Sequence, residues 1–269
     1  MFVTLKCGGI MINNIIEDSN IKLPKTFIKF GKKEHMISLI ENGRLHLEPS
    51  KTFSKSNKVN DAVYDNFDGS IYYNVHDLYA FPLIDEEKYI YGKGIKLATK
   101  SELKIRNTYN DKIPIYCLYK YDYCVMNSII KLNEKLLNEF YGYDYAVIIL
   151  EPLKFLNQIK VKKGFYANSV IYTNATPFET EITSKIHYLY YKKEAYSYQN
   201  EFRISIVEEQ IDVGYEFEIG SILEYSIMVP VEALRKGLLI AESYEKGLEL
   251  IDKYEKEYNI KFGECVNLE

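Results

Sequence analysis

Tryptophan is absent from these 269 residues, and cysteine and histidine occur four times each. Cys7, Cys117, Cys124 and Cys265 are scattered and form no CxxC pair. Structural zinc needs clustered ligands, so the spacing predicts no metal site and thiols that stay reduced. His35, His46, His76 and His187 also miss ligand spacing. No run approaches the ~20 apolar residues of a membrane-spanning helix. The opening MFVTLKCGGIMI has only Lys6 as a base and is broken at Cys7-Gly8-Gly9, a poor match to a cleavable leader. These absences predict a cytoplasmic chain with no membrane partner.

Positive charge is not in excess either. With 34 Lys and Arg against 38 Asp and Glu, the net charge is -4, which argues against a general nucleic-acid or membrane-surface binder. A local basic cleft stays compatible with that balance. Walker, GxGxxG, GxSxG and HExxH signatures are missing. Gly92-Lys93-Gly94 is too short to cradle a phosphate and reads as a strand bulge.

What the chain does have is ample apolar material, 47% of residues against 27% charged, enough for a sizeable core. Its 26 tyrosines and 13 phenylalanines, with abundant Ile, Lys and Asn, fit an AT-rich coding sequence. A tyrosine-rich surface would also suit stacking on bases or on a nicotinamide ring.

Residues 1–25 read as an N-terminal arm and residues 26–269 as a single α+β domain. Thr26 to Phe30 is a strand ended by Gly31. Lys33 to Glu41 carries a helical apolar stripe, and Asn42-Gly43 supplies its C-cap. Arg44 to Glu48 is a second strand, stopped by Pro49. Ser50 to Ser70 is a long polar loop, of the kind that is functional or mobile in compact domains. Strands are expected at 71–75, 88–97, 112–121, 144–150, 169–173, 198–206, 215–219 and 222–229. Helices are expected at 127–140, 152–159, 185–193 and 243–258, the last capped by Ser243. Strands outnumber helices without βαβ alternation, so the expected fold is a mixed, mostly antiparallel sheet flanked by a few helices.

The most informative stretch is Tyr198-Gln199-Asn200-Glu201-Phe202-Arg203-Ile204-Ser205-Ile206. Strand alternation puts Phe202, Ile204 and Ile206 on one face and Glu201 and Arg203 on the other, with Gln199 in line. Such a polar row is either a solvated sheet face or the floor of a cleft. A Glu–Arg network can also serve architecture alone.

The opening Phe27–Gly31 strand, the helix ending Ile-Glu-Asn-Gly43 and the Arg44-Leu-His-Leu strand resemble the start of ADP-ribosyltransferase-like domains. In that superfamily a late-strand glutamate holds the nicotinamide ribose as nicotinamide leaves. A carboxylate suits that task because positive charge develops at the anomeric carbon. The resemblance implies NAD as substrate, Glu201 as the catalytic carboxylate and Arg203 as its orienting partner. It further implies Lys29 or His46 on the adenosine-side hydroxyls or phosphate, and Tyr172 or Tyr198 stacked on nicotinamide, with Gln199 lining the site.

The chain also resembles a large uncharacterised family of bacterial and phage proteins. The features that carry this are Phe27 to Phe30, Ile40 to Phe53, Asn60-Asp61, Cys117-Leu118-Tyr119 and Lys192 through Arg203, with its Glu201-Phe202-Arg203 ending. The chain departs from that pattern in lacking a proline after Asn60-Asp61, and in having Gln199 and Asn200 where a first glutamate is common. This likeness implies a setting in phage–host conflict or a toxin/defence system, with a protein or nucleic-acid target.

Two other classes of function stay open. The chain could be a non-enzymatic phage or defence component that binds and blocks or senses a partner macromolecule. Alternatively, Tyr116, Tyr119, Lys120, Tyr121 and Tyr123 interleave aromatics with charge as single-strand binding requires.

Overall fold

The computed structural model describes residues 23–54, 68–75, 78–80, 95–98, 101–106, 108–173, 185–258 and 261. The expected N-terminal arm to residue 22, the Asn60-Asp61 segment and Gly92-Lys93-Gly94 lie outside them. In chain order the strands begin with β1 (Thr26–Gly31), followed by helix α1 (Lys33–Asn42) and β2 (Arg44–Pro49). Next come β3 (Ser70–Val75), β4 (Leu78–Ala80), β5 (Ile95–Ala98), β6 (Ser101–Arg106), β7 (Pro114–Tyr121) and β8 (Ser128–Ile130). Helix α2 (Glu134–Glu139), β9 (Tyr145–Ile149), α3 (Pro152–Ile159), β10 (Phe165–Ser169) and β11 (Ile171–Tyr172) follow. The rest are β12 (Tyr191–Lys192), β13 (Glu201–Ile206), β14 (Tyr215–Glu218), β15 (Ser226–Pro230), α4 (Val231–Lys236), β16 (Leu238–Ile240) and α5 (Tyr244–Tyr258). Most of the strand pairs are antiparallel, so the chain is an α+β protein.

The chain divides into two compact units. The first contains His46–Tyr116 and Lys162–Glu216, and the second Lys22–Leu45, Cys117–Val161 and Phe217–Glu269. In the second unit β1 lies between β7 and β9, pairing Ile28 with Tyr119 on one side and with Ile148 on the other. β9 then pairs with β15 through Ile148 and Ile227. Phe27, Ile28, Ala146, Val147, Ile148 and Ile149 are completely buried. A strand covered on both faces needs such an unbroken apolar run rather than alternation.

Helix α1 adds Met36, Leu39 and Ile40 to this core. It ends at Gly43, whose φ of 62° is left-handed and whose amide donates to Ser38 O. A Cβ at Gly43 would run into the Gly220 carbonyl oxygen, so both backbone angle and space demand glycine there. Helix α3 starts with Pro152 at its first turn, where no amide partner is needed, and buries Phe155, Leu156 and Ile159.

Several expected elements change type. The helix expected over 127–140 is β8 followed by the short α2. Ile129 and Ile130 pair with Leu239 and Leu238 of β16, and Asn133 accepts a bond from the Lys135 amide at 2.7 Å to start the helix late. The expected helix over 185–193 is a 3₁₀ turn, Lys185–Tyr190, running into β12. The strand expected to start at Ile222 begins at Ser226, after a 3₁₀ turn at Leu223–Tyr225. The strand expected over 169–173 is split between β10 and β11.

Candidate functional site

The polar row of β13 is neither solvated nor the floor of an open cleft; it is covered. Arg203 retains 1% exposure and Ser205 none, while Phe202, Ile204 and Ile206 on the opposite face are equally buried. Within the first unit, β10 flanks β13 with Asn168 opposite Arg203 and Ala167 opposite Ile204. The cover over the polar face is the segment Leu189–Lys192. The Leu189 carbonyl accepts from Arg203 Nη1 at 2.7 Å, the Tyr190 hydroxyl meets Ser205 Oγ at 2.8 Å, and Lys192 Nζ donates to Glu201 Oε1 at 2.8 Å.

Local chain geometry delivers these groups to one place. β11 and β12 run parallel, with Tyr172 opposite Lys192. From Lys192 the chain makes a 3₁₀ turn over Glu194–Gln199, and Asn200 reverses it with φ 38° and ψ 52°. Asparagine tolerates that left-handed conformation better than most residues. The reversal brings Gln199 and Glu201 back onto Lys192, whose ammonium bonds Gln199 Oε1 as well as Glu201. The Tyr172 hydroxyl accepts from the Glu201 amide at 2.8 Å.

The fourth charge comes from far away in sequence. Asp68 accepts from Arg203 Nη1 at 2.6 Å and from Nη2 at 2.7 Å, a bidentate pair. Arg203 Nε and Nη2 each reach Glu201 Oε2 at 2.8 Å. With the bond to Leu189 O, four of the five guanidinium N–H donors make hydrogen bonds, one to Glu201, two to Asp68 and one to Leu189. Asp68, Lys192 and Arg203 are 3%, 2% and 1% exposed, against 15% for Glu201. Two cations and two anions make the quartet neutral.

Burial alone would raise the Glu201 pKa, but the charges of Arg203 and Lys192 and their hydrogen bonds outweigh it and hold the carboxyl at about 2. Burial also acts to lower the Lys192 pKa, yet Glu201 and Asp68 leave it raised. Both groups therefore stay charged at neutral pH. The Lys192 ammonium also lies 5.1 Å from the Tyr196 ring centroid, a cation–π distance.

The structure thus brings together Gln199, Glu201, Arg203 and Tyr172 among the residues singled out from sequence. Lys192 and Asp68 complete the group. Lys192 sat in the motif as quoted, whereas Asp68 fell within the expected polar loop, where nothing in the sequence tied it to Arg203. Tyr198 is half-buried in the 3₁₀ turn beside them. His46 belongs to a separate cluster: its Nδ1 is 2.9 Å from Glu216 Oε1 and its Nε2 is 2.7 Å from Glu48 Oε1, all three exposed. Lys29 lies in the second unit, where its ammonium donates to Cys117 O at 3.0 Å.

Chemically, the quartet is closer to a clasp than to a reaction centre. A carboxylate offers about four lone-pair sites; Glu201 accepts one bond from Lys192 and one from Arg203 Nε, with Arg203 Nη2 a further 2.8 Å from Oε2. Two cations at hydrogen-bond distance cancel most of the field that a developing positive charge would need. Among the described residues no group of three His, Cys, Asp or Glu side chains is arranged to hold a metal ion, and no helix is long and apolar enough to cross a membrane. No family model, no curated protein and no solved structure matches the chain.

Proposed function

We propose that this chain is a non-enzymatic binding protein that blocks or senses a partner macromolecule, with the Asp68–Arg203–Glu201–Lys192 quartet serving as an architectural clasp. The observation that carries this reading is the closure of the quartet on itself. Four of the five guanidinium donors are hydrogen-bonded within the group, both Glu201 oxygens accept a bond from a cation, and the charges sum to zero. The sequence resemblance to bacterial and phage proteins supports a setting in phage–host conflict or defence. Affinity capture from the host's lysate with wild type and Glu201→Gln tests it. The reading expects the same partner with both proteins; capture or activity that depends specifically on the Glu201 charge overturns it.

A second reading, an NAD-using ADP-ribosyltransferase-like enzyme, is favoured by one feature. Glu201 is the most accessible member of the quartet, is held ionised, and has the Tyr172 hydroxyl on its own amide. In that reading Arg203 and Lys192 orient the carboxylate, and a ribose hydroxyl donates to a lone pair they leave open. Nicotinamide release from NAD, abolished in Glu201→Gln, is its signature.

A further inference from the structure

No residue from Val207 to Glu216 is buried. This strap runs within the first unit from the end of β13 into the start of β14, and no apolar side chain of its own anchors it in the core. Segments with few buried apolar contacts lie at the low-stability end of a fold and open locally. What fastens this one is polar, and it is fastened at two ends.

At the first end the Asp212 carboxylate lies between two ammoniums, 2.9 Å from Lys51 Nζ and 3.0 Å from Lys112 Nζ. The Ile211 amide beside it donates to Lys112 O at 2.9 Å. Hydrogen bonds from Lys51 and Lys112 hold the Asp212 pKa below its ordinary value, so this end keeps its charges around neutral pH.

At the second end His46 of β2 stands between two carboxylates. Its Nε2 is 2.7 Å from Glu48 Oε1 on its own strand, and its Nδ1 is 2.9 Å from Glu216 Oε1 on β14. The Thr52 hydroxyl donates to the other Glu48 oxygen at 3.5 Å. A neutral imidazole has one N–H and one lone pair, and an ionised carboxylate only accepts. The imidazolium alone donates in both directions; without its proton, a ring lone pair opposes a carboxylate lone pair. The ring also lies against the strap's backbone, since a Cβ at Gly214 would collide with His46 Cε1 and Nε2. Among the neighbouring charges, Arg44 shares the His46 face of β2, Glu218 shares the Glu216 face of β14, and Lys51 is turned to Asp212.

We propose that the Asp212–Glu216 strap is a pH-gated latch, fastened at its β14 end by the His46 imidazolium and released there when His46 loses its proton, while the Asp212 end stays tied. Histidine is the side chain whose ordinary titration falls in the physiological range. Burial lowers the His46 pKa, but the hydrogen bonds and charges of Glu48 and Glu216 leave it raised above 6.5. The latch is therefore closed below that value and opens as pH rises through the folded one. Opening frees the part of β2 that β14 pairs with. His46, Glu48 and Glu216 are all partly exposed, so the release is local and leaves the rest of the fold in place. The latch is separate from the Glu201 clasp and holds under either reading of it.

Hydrogen exchange of the full chain, read by mass spectrometry between about pH 5 and 8 and corrected for the intrinsic pH dependence of exchange, tests this. Protection in peptides spanning Gly214–Phe217 should fall about two- to fivefold as pH rises through the His46 midpoint, the scale of an exposed ion pair. The buried β9 strand is the reference and should keep its protection. His46→Gln, neutral at every pH, and Gly214→Ala, which pushes the ring off the strap, should both lack the step. Asp212→Asn should loosen the strap at every pH and keep the step. Circular dichroism checks that the variants fold. No step in wild type, a step that His46→Gln or Gly214→Ala retains, one that Asp212→Asn abolishes, or a fall shared equally by β9 overturns the latch.

Discussion

Arg203 on β13 grips Asp68, 135 positions earlier in the chain, with both of its Nη atoms on both carboxylate oxygens. The pair is almost completely buried, and removing either partner leaves the quartet with one net buried charge. Arg203→Met should therefore destabilise the protein by about 3–5 kcal/mol, the usual penalty for breaking a buried pair from one side. Urea unfolding measures it. Asp68→Asn combined with Arg203→Met should cost less than the sum of the two single changes, because the second substitution removes the charge stranded by the first.

Acid stability should depend on Glu201. Its folded pKa of about 2 lies below the ordinary value of 4.5, so its contribution is full above about pH 4.5 and is lost as pH falls towards 2. A shift of this size corresponds to roughly 3 kcal/mol. Unfolding free energy measured across that window should fall in wild type and be flatter in Glu201→Gln. An equal slope in the two proteins would remove Glu201 from the account.

His46 has the opposite sign. Burial lowers its pKa, but the hydrogen bonds and charges of Glu48 and Glu216 outweigh that and leave it raised. Its contribution is present below the ordinary pKa of 6.5 and fades as pH rises through the folded value. Since all three side chains are exposed, the effect on stability should be small. An NMR titration of the His46 ring should show the raised midpoint in wild type and a lower one in Glu48→Gln/Glu216→Gln.

Gly43→Ala should destabilise by more than about 1 kcal/mol, since the residue is left-handed and its Cβ would meet the Gly220 carbonyl. Gly142→Ala meets open space at a φ of 95°, so it carries only the backbone strain and should cost less. Thermal melts of the two variants rank them.

Local patterns carried much of this fold. The Thr26–Gly31 strand, the α1 stripe with its glycine cap and the proline-started α3 are all legible because period and punctuation agree within a few residues. Alternation along β13 also put Glu201 and Arg203 on the correct common face. What alternation could not reveal is what lies over that face. Leu189–Lys192 and Asp68 reach it through tertiary pairing, so a row that the sequence leaves open between solvent, cleft and internal network is covered. The same limit explains the missed β8: Ile129 and Ile130 fit a helical stripe, but β16, more than a hundred residues later, captures them as a strand.

The central claim is that Glu201 closes a clasp and does not split a substrate. Its most direct test is incubation of purified wild type and Glu201→Gln with NAD, following nicotinamide release beside the melting temperature of each protein. The account predicts no release from either protein and a lower melting temperature for the variant. Release by wild type that vanishes in a still-folded Glu201→Gln would contradict it and make Glu201 a catalytic carboxylate.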